Sequence, residues 1–560
     1  SLMFLKYINL ILIIIFFYQV PLYSKNKELK DFNSNYFSGV VAYKNKDNSD
    51  ALKFFSSSKI LLNKHDPYFE KYIHTLVSEG KVKQAANEIK QNLKKNNSRF
   101  FEAHLILAME SLKKKNFEKS KLHLQQSKKL INDNRVSLFI YESIKQYIYT
   151  FQENKILESQ MNFGDLSLIN KIFQKCYLDN KDTIVYFRSL LNNSSDTDYS
   201  RYTFFLINYL IEDNKLSEAQ KITNQIDYLN SSLLISQAKK WVEEKKFDEL
   251  KKVFSCKNPN DVVSEFLFLI ANLYSSQNDY DKANFYLNIS HYLNPKFKFN
   301  LTLLAENYFL IDNYEKVKKI LEYFNVKDEF YYWFKVKKQA QIISMEKNDE
   351  KSLSFITKKY KKIESPSVKI IFDMANFNKN SKKYKNAITY YDQIISLTDP
   401  NSLNYANLLY RRGSSYERLG NYLKSDKDFL NSLEINPDDA YVLNYLAYSW
   451  LEREYKIDES IQMLEKAYAL RSNDPYIIDS VGWAHYLIDD FLKAEKFLKR
   501  AVELMPNDPV VNDHYGDILW KLGKKIQARY FWKSVLNLKE TEDKMKKNIN
   551  IKLIKGLKKS

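Results

Sequence analysis

The side chains that could do chemistry are few and scattered. Seven histidines stand singly, at His65, His74, His104, His123, His291, His485 and His514. None forms the H-x-x-x-H spacing that sets two imidazoles on one helix face around a metal. Cys176 and Cys256 lie far apart with no C-x-x-C between them, which excludes a zinc ribbon or a thioredoxin-like redox pair. A disulfide would require their two segments to touch, and the expectation is that they stay apart. The G-x-S-x-G elbow, the G-x-x-x-x-G-K-[ST] loop and the H-E-x-x-H zinc motif are all absent. With 9 glycines in 560 residues, a backbone that closes around a phosphate has almost no room to exist. The expectation is a chain that is not an enzyme and holds no cofactor and no metal.

What the sequence repeats instead is small residues. Gly413, Ala447, Gly482 and Gly516 are separated by 34, 35 and 34 residues. Twelve residues after three of them stand Ser425, Ala494 and Ala528, with Ser460 one residue late; Pro437 and Pro506 close two of the stretches. Small side chains at these points let two helix axes approach to ~8–10 Å. The scarcity of glycine and proline, 9 and 10 residues, argues for helices joined by short turns and against a β-rich fold. Weaker versions of the pattern run upstream: Gly39/Ala51/Phe55, Ile73/Ala85/Ile89 and Ala108/Ser120/Leu124, then from Leu206/Ala219/Thr223 through Ala271/Ala283/Leu287 to Ala387/Tyr391. From 132 to 199 the register is lost. Ser137–Gln152 keeps helical periodicity there, Asp165 can cap a helix through Phe173, and Ile184–Leu191 can form another.

A period of 34 with paired small residues, an aromatic-rich turn and a closing proline resembles the tetratricopeptide repeat, strongly over Tyr405–Leu538 and weakly before it. The resemblance implies an all-α fold, an α-solenoid in which helix–turn–helix repeats stack into a right-handed superhelix and each repeat buries its face on its neighbours. About twelve repeats are recognisable. The chain then divides into an N-terminal signal-like segment (1–24), N-terminal repeats (32–131), degenerate helical hairpins (132–199) that form the boundary between two arrays, middle repeats (200–402), the strong C-terminal block (403–540) and a basic capping helix or tail (541–560).

The family's first helices line an inner face that receives an extended peptide or a partner helix, so the resemblance implies a protein-binding scaffold and no reaction. Carried over repeat by repeat, that face would hold Tyr410, Asn444, Asp479 and Asp513 at one position, Tyr448, Trp483 and Asp517 four residues on, and Tyr486 beyond them. Aromatics and amides suit peptide recognition, and three aspartates would favour a basic ligand. The plainer alternative packs Trp483 and Trp520 between repeats and leaves the aspartates solvated. Asp474 and Asp508, each followed by proline, read as helix caps.

The net charge of +19 suggests an anionic partner at first sight. Lysine is spread along the chain and faces acids within most repeats, while Asn, Ile, Tyr and Phe are abundant with it, as an AT-rich genome favours; nucleic acid is not an expected partner. At the N-terminus Lys6 precedes an apolar run, Tyr7 to Tyr18, closed by Pro21 and followed by Leu22-Tyr23-Ser24. This is the pattern of a signal peptide, or of an uncleaved signal anchor; the run is shorter than the ~20 residues a spanning helix prefers. No cysteine follows it, which excludes a lipoprotein anchor. A first residue of Ser1 suggests a fragment, or a true start at Met3. The expected location is periplasmic or membrane-associated in a bacterium, with envelope proteins as partners and membrane contact through the N-terminal segment.

Overall fold

The computed structural model describes residues 27–557 apart from 64, 94–98, 132–133, 160, 193–197, 228 and 325–328. The signal-like segment 1–24 lies outside the described residues. Among those described, every regular element is helical, with no strand, and no helix is long and apolar enough to cross a membrane. The chain forms two compact units, Ser1–Lys335 and Val336–Ser560. The degenerate stretch 132–199, read from sequence as a boundary between arrays, lies inside the first of them.

In the second unit the strong block consists of Leu403–Arg418 with Tyr422–Ile435, Ala440–Glu452 with Ile457–Leu470, Pro475–Leu487 with Phe491–Leu504, and Pro509–Lys521 with Lys525–Val535. A last helix, Asp543–Lys555, follows. Each turn within a hairpin places a residue in the left-handed region just after the first helix: Gly420, Glu454, Asp489 and Gly523, with φ between 50° and 79°; Lys456 adds a second one in its turn, at φ 45°. That conformation ends the first helix by turning its last carbonyls onto the turn. The next helix then begins behind a side-chain cap where the sequence supplies one, as Asn421 and Asp490 do by accepting from the N–H groups of Lys424 and Lys493. Asp474 and Asp508 cap as their proline context predicts. Asp474 accepts from Tyr476 and Ile477, and Asp508 from Val510 and Val511, all at 2.9–3.3 Å.

The small residues form the seam between paired helices. A Cβ on Gly482 would lie 2.7 Å from Leu498 Cγ, and one on Gly516 2.5 Å from the Trp532 ring. Ser425, Ser460, Ala494 and Ala528 have no exposed surface.

The first unit departs from a stack in which each repeat touches only its neighbours. Pro259–Ser276 and Tyr280–Leu293 pack back against Asp66–Ser78, Phe101–Lys113 and Arg135–Glu153. Asn288 Nδ2 and the Tyr308 hydroxyl both donate to the Ser78 carbonyl, at 3.2 and 3.3 Å, and Asn260 Nδ2 donates to the Lys113 carbonyl at 3.2 Å. The cause is composition. Val262, Val263, Phe266, Leu267 and Ile270 on one helix, with Phe285, Tyr286, Leu287 and Ile289 on the next, spread apolar surface over more than one face, so each helix is covered from more than one side, and buried amides such as Asn288 find backbone carbonyls there.

The same unit overturns the expectation for the cysteines. Cys176 and Cys256 form a disulfide, with Cα atoms 5.6 Å apart. Their neighbours bring them together: Phe173 lies 5.3 Å from Phe205 and 6.0 Å from Phe254 between ring centroids, and Phe205 lies 4.7 Å from Phe254. Phe173 is one helical turn from Cys176, and Phe254 is two residues from Cys256, so one aromatic cluster closes the 80-residue separation. Asp165 also departs from its expected role. Gly164 holds the cap position at φ 64°, and the Asp165 carboxylate accepts from the Tyr199 hydroxyl.

Candidate functional site

The residues assigned to a partner face come from the first helices of the strong block. Three of these helices, Ala440–Glu452, Pro475–Leu487 and Pro509–Lys521, converge on His514. Its Nδ1 lies 2.9 Å from Asp479 Oδ2. Its ring stacks on Trp483, with centroids 4.0 Å apart and planes 13° apart, and Trp483 stacks in turn on Tyr486 at 4.6 Å and 8°. Tyr448, from the helix two repeats before, brings its ring to 6.3 Å from the same imidazole. Burial pulls the His514 pKa down, but the carboxylates of Asp479, Asp513 and Asp517 outweigh it and hold the imidazole above its ordinary value.

A second cluster adjoins the first. Lys552, on the last helix, donates to Asp513 Oδ1 at 2.6 Å and to both oxygens of Asp517 at 2.8 and 2.9 Å. Trp532 Nε1 donates to Asp517 Oδ1 at 2.9 Å. Burial, reinforced by the neighbouring Asp513 charge, pushes the Asp517 pKa up to about 6 against the pull of Lys552 and His514. The two carboxylates raise Lys552 above the usual lysine value despite its burial.

The candidate residues therefore separate into two sets. Asp479 and Asp517 are each 5% exposed and are engaged inside the chain. They do not stand open to a basic ligand, because His514 and Lys552 occupy that role. Tyr410, Asn444, Tyr448, Trp483, Tyr486 and Asp513 are half-buried. Tyr410 stands one repeat away from the cluster, its ring 6.0 Å from Phe429 and 5.9 Å from Tyr445. Asn444 Oδ1, Asp479 Oδ1 and Trp483 Nε1 are buried atoms without a hydrogen-bond partner, which leaves unspent bonding capacity along this row.

Sequence reasoning missed His514, Lys552 and Trp532. His514 looked like one more scattered histidine, and Lys552 like one more lysine in a basic tail. The one available signal was Asp513 and Asp517 one helical turn apart, a carboxylate pair that needs a cation when buried.

A histidine oriented by an aspartate is the base half of a nucleophile-activating triad. Here the face of the imidazole is covered by Trp483, and the residue is 6% exposed. Among the described residues no group of three or more His, Cys, Asp or Glu is placed to hold a metal.

With this geometry in place, comparison with known proteins is direct. The family model for the tetratricopeptide repeat matches residues 406–439. Over those residues the chain carries a tetratricopeptide repeat. A repeat-containing protein of Pseudomonas aeruginosa is 33% identical over 94 residues, 17% of this chain and 16% of that relative. Another from Methanocaldococcus jannaschii is 38% identical over 85 residues, 15% of this chain and 14% of its own length. The chain thus spans a small part of the curated relatives it matches. Among solved structures, yeast Tom70 aligns over 94% of this chain and 95% of its own, at 14% identity and a TM-score of 0.36. Tetratricopeptide arrays generally serve as protein-interaction scaffolds, and the all-α fold of this chain is of that type.

Proposed function

We propose that this protein is a non-enzymatic scaffold of the bacterial cell envelope that binds a segment of a partner protein along the first-helix face of its C-terminal repeats. The observation that carries the reading is the row Tyr410, Asn444, Tyr448, Trp483 and Tyr486. These half-buried aromatics and one amide lie on the first helices of successive repeats, and two buried polar atoms of the row, Asn444 Oδ1 and Trp483 Nε1, have no partner within the chain. Rigid aromatic anchors with an unsatisfied amide acceptor and indole donor fit an extended peptide or a helix better than a flat surface.

The envelope location is supported by the Cys176–Cys256 disulfide, since such bonds form and persist outside the reducing cytosol. The apolar run Tyr7 to Tyr18 agrees with export. The same run favours a second reading, a membrane-anchored adaptor whose N-terminal segment stays uncleaved and whose basic surface lies on lipid. Mass spectrometry of the mature N-terminus separates the two: a chain starting near Lys25 eliminates the anchored form, and an intact run supports it.

The binding face is tested by replacing Asn444 and Tyr448 together with alanine. Neither contributes to the Lys552 or His514 hydrogen bonds, so thermal unfolding should change little while partner capture falls at least tenfold. Undiminished capture of the same partners by the double variant refutes the assignment of the face.

A further inference from the structure

The last helix, Asp543–Lys555, is specific in its chemistry and light in its burial. Of its thirteen residues Ile549 is the one fully enclosed. Ile551 and Ile554 are 54% and 78% exposed, and the helix begins at Glu542 with no side-chain cap. Asn548 and Asn550, set among β-branched isoleucines, give it poor intrinsic helix propensity. An element with so few buried contacts sits at the low-stability end of its unit. Yet Lys552 is held by three charge-assisted hydrogen bonds, and the chain just beyond it is seated as closely. Gly556, at φ 69°, lies against Trp520 so tightly that a Cβ would come within 2.0 Å of the indole.

The residues that hold Lys552 continue the partner row. Asp513 repeats the position of Asp479 and Asn444, and Asp517 that of Trp483 and Tyr448. One repeat earlier, Asp479 keeps an oxygen buried and unpartnered. The last helix thus occupies the end of the row as a ligand would, with its lysine in a carboxylate pair walled by Trp532.

We propose that the Asp513–Asp517 pair is a lysine-receiving site, filled here by the chain's own Lys552 and open to a lysine of a partner segment when the last helix lifts. This rests on reading the first-helix face as the binding face, and it names the partner's chemistry: a segment presenting a lysine. A free anion is excluded by the two carboxylates. A second copy docking through the same helix would set Lys544, Lys547 and Lys555 against their equivalents, and like charges so placed repel.

The test uses the full chain and a labelled lysine octapeptide, with its fully acetylated form as control. A chain of net charge +19 repels such a probe, so binding requires a local acidic site. Lys552→Gln should bind the octapeptide at least tenfold tighter than the native chain, and the acetylated control should bind neither. Adding Asp513→Asn and Asp517→Asn should abolish the gain. In the native chain, a saturating octapeptide should speed amide exchange of residues 543–555 at least fivefold, a reading that does not depend on any variant folding. The proposal is overturned if the octapeptide binds neither form, if the gain survives loss of both carboxylates, or if exchange of 543–555 is unmoved by a bound probe. None of these failures touches partner capture through Asn444 and Tyr448, which is measured separately.

Discussion

Lys552 Nζ lies 2.8 and 2.9 Å from the two carboxylate oxygens of Asp517, a residue 35 positions earlier in the chain. The contact neutralises a carboxylate that is 5% exposed and ties the last helix to the last repeat. Lys552→Met removes the cation and leaves Asp513 and Asp517 facing each other. Breaking a buried pair in this way costs about 3–5 kcal/mol, and the partial exposure of Lys552 reduces that to about 2 kcal/mol here. The Asp517 carboxyl already titrates near 6, above its unfolded value, so its charged form opposes folding. That burden is present above pH 6 and is relieved as the pH falls through 6 towards the ordinary carboxylate range. The deficit of Lys552→Met, read from urea unfolding, should therefore be larger at pH 7.5 than at pH 5. Asp517→Asn in the same background should recover part of it.

Gly516 tests the helix seam. A Cβ there would fall 2.5 Å from the Trp532 ring, and that ring is fully enclosed with its Nε1 committed to Asp517. Gly516→Ala should destabilise the second unit by about 2–3 kcal/mol through overpacking, although alanine is the better helix former. Adding Trp532→Leu should leave the glycine substitution nearly neutral in that background. Chemical unfolding of the two single variants and the double variant measures the coupling.

The seam shows how much of the fold was legible. Gly413, Gly482 and Gly516 and their small partners twelve residues on were readable because a 34-residue period repeats their spacing, and the Asp-Pro caps were readable because their chemistry is local. The turn device was equally local but carries mixed residue types. Lys46, Lys115, Asn278 and Asp312 take the left-handed conformation just before the caps Asp47, Asn116, Asp279 and Asn313, and only a turn-by-turn alignment of the hairpins exposes the pattern. The packing of Tyr280–Leu293 onto Asp66–Ser78 was not legible, because it joins residues more than 200 positions apart and no local spacing encodes it. At the candidate site the residue types were readable and their partners were not. Whether Asp479 and Asp517 meet solvent or a cation depends on where His514 and Lys552 arrive, and spacing along one helix does not encode that.

The disulfide yields a prediction for the first unit. Replacing Cys176 and Cys256 with alanine frees an 80-residue loop in the unfolded chain. The loss should be about 2–4 kcal/mol, seen as a lower unfolding temperature of the first unit with the second unchanged. The native chain unfolded in the presence of reductant should match the variant.

His74 gives the first unit an acid sensitivity. Its ring stacks on Phe285 at 4.5 Å, and burial, aided by the charges of Lys282 and Lys71, pulls its pKa down to about 4. The unfolded chain binds this proton near 6.5 and the folded chain near 4, so the stability held by neutral His74 is present above 6.5 and is lost as the pH falls towards 4. His74→Phe keeps the stack and removes the proton. The stability lost between pH 7 and pH 5 should then be smaller than in the native chain by about 1 kcal/mol, a figure discounted for the partial exposure of the ring. Urea midpoints at the two pH values provide the measurement.

The proposed reception of partners on the first-helix face of the C-terminal repeats is open to a direct test. A photo-crosslinking phenylalanine analogue placed at Tyr448 or Tyr486, and at the exposed Tyr530 as a control, tests it in the native cell. A discrete protein adduct is expected from Tyr448 and from Tyr486 and none from Tyr530. Adducts from Tyr530 alone, or from none of the three sites while the variants remain folded, would contradict it.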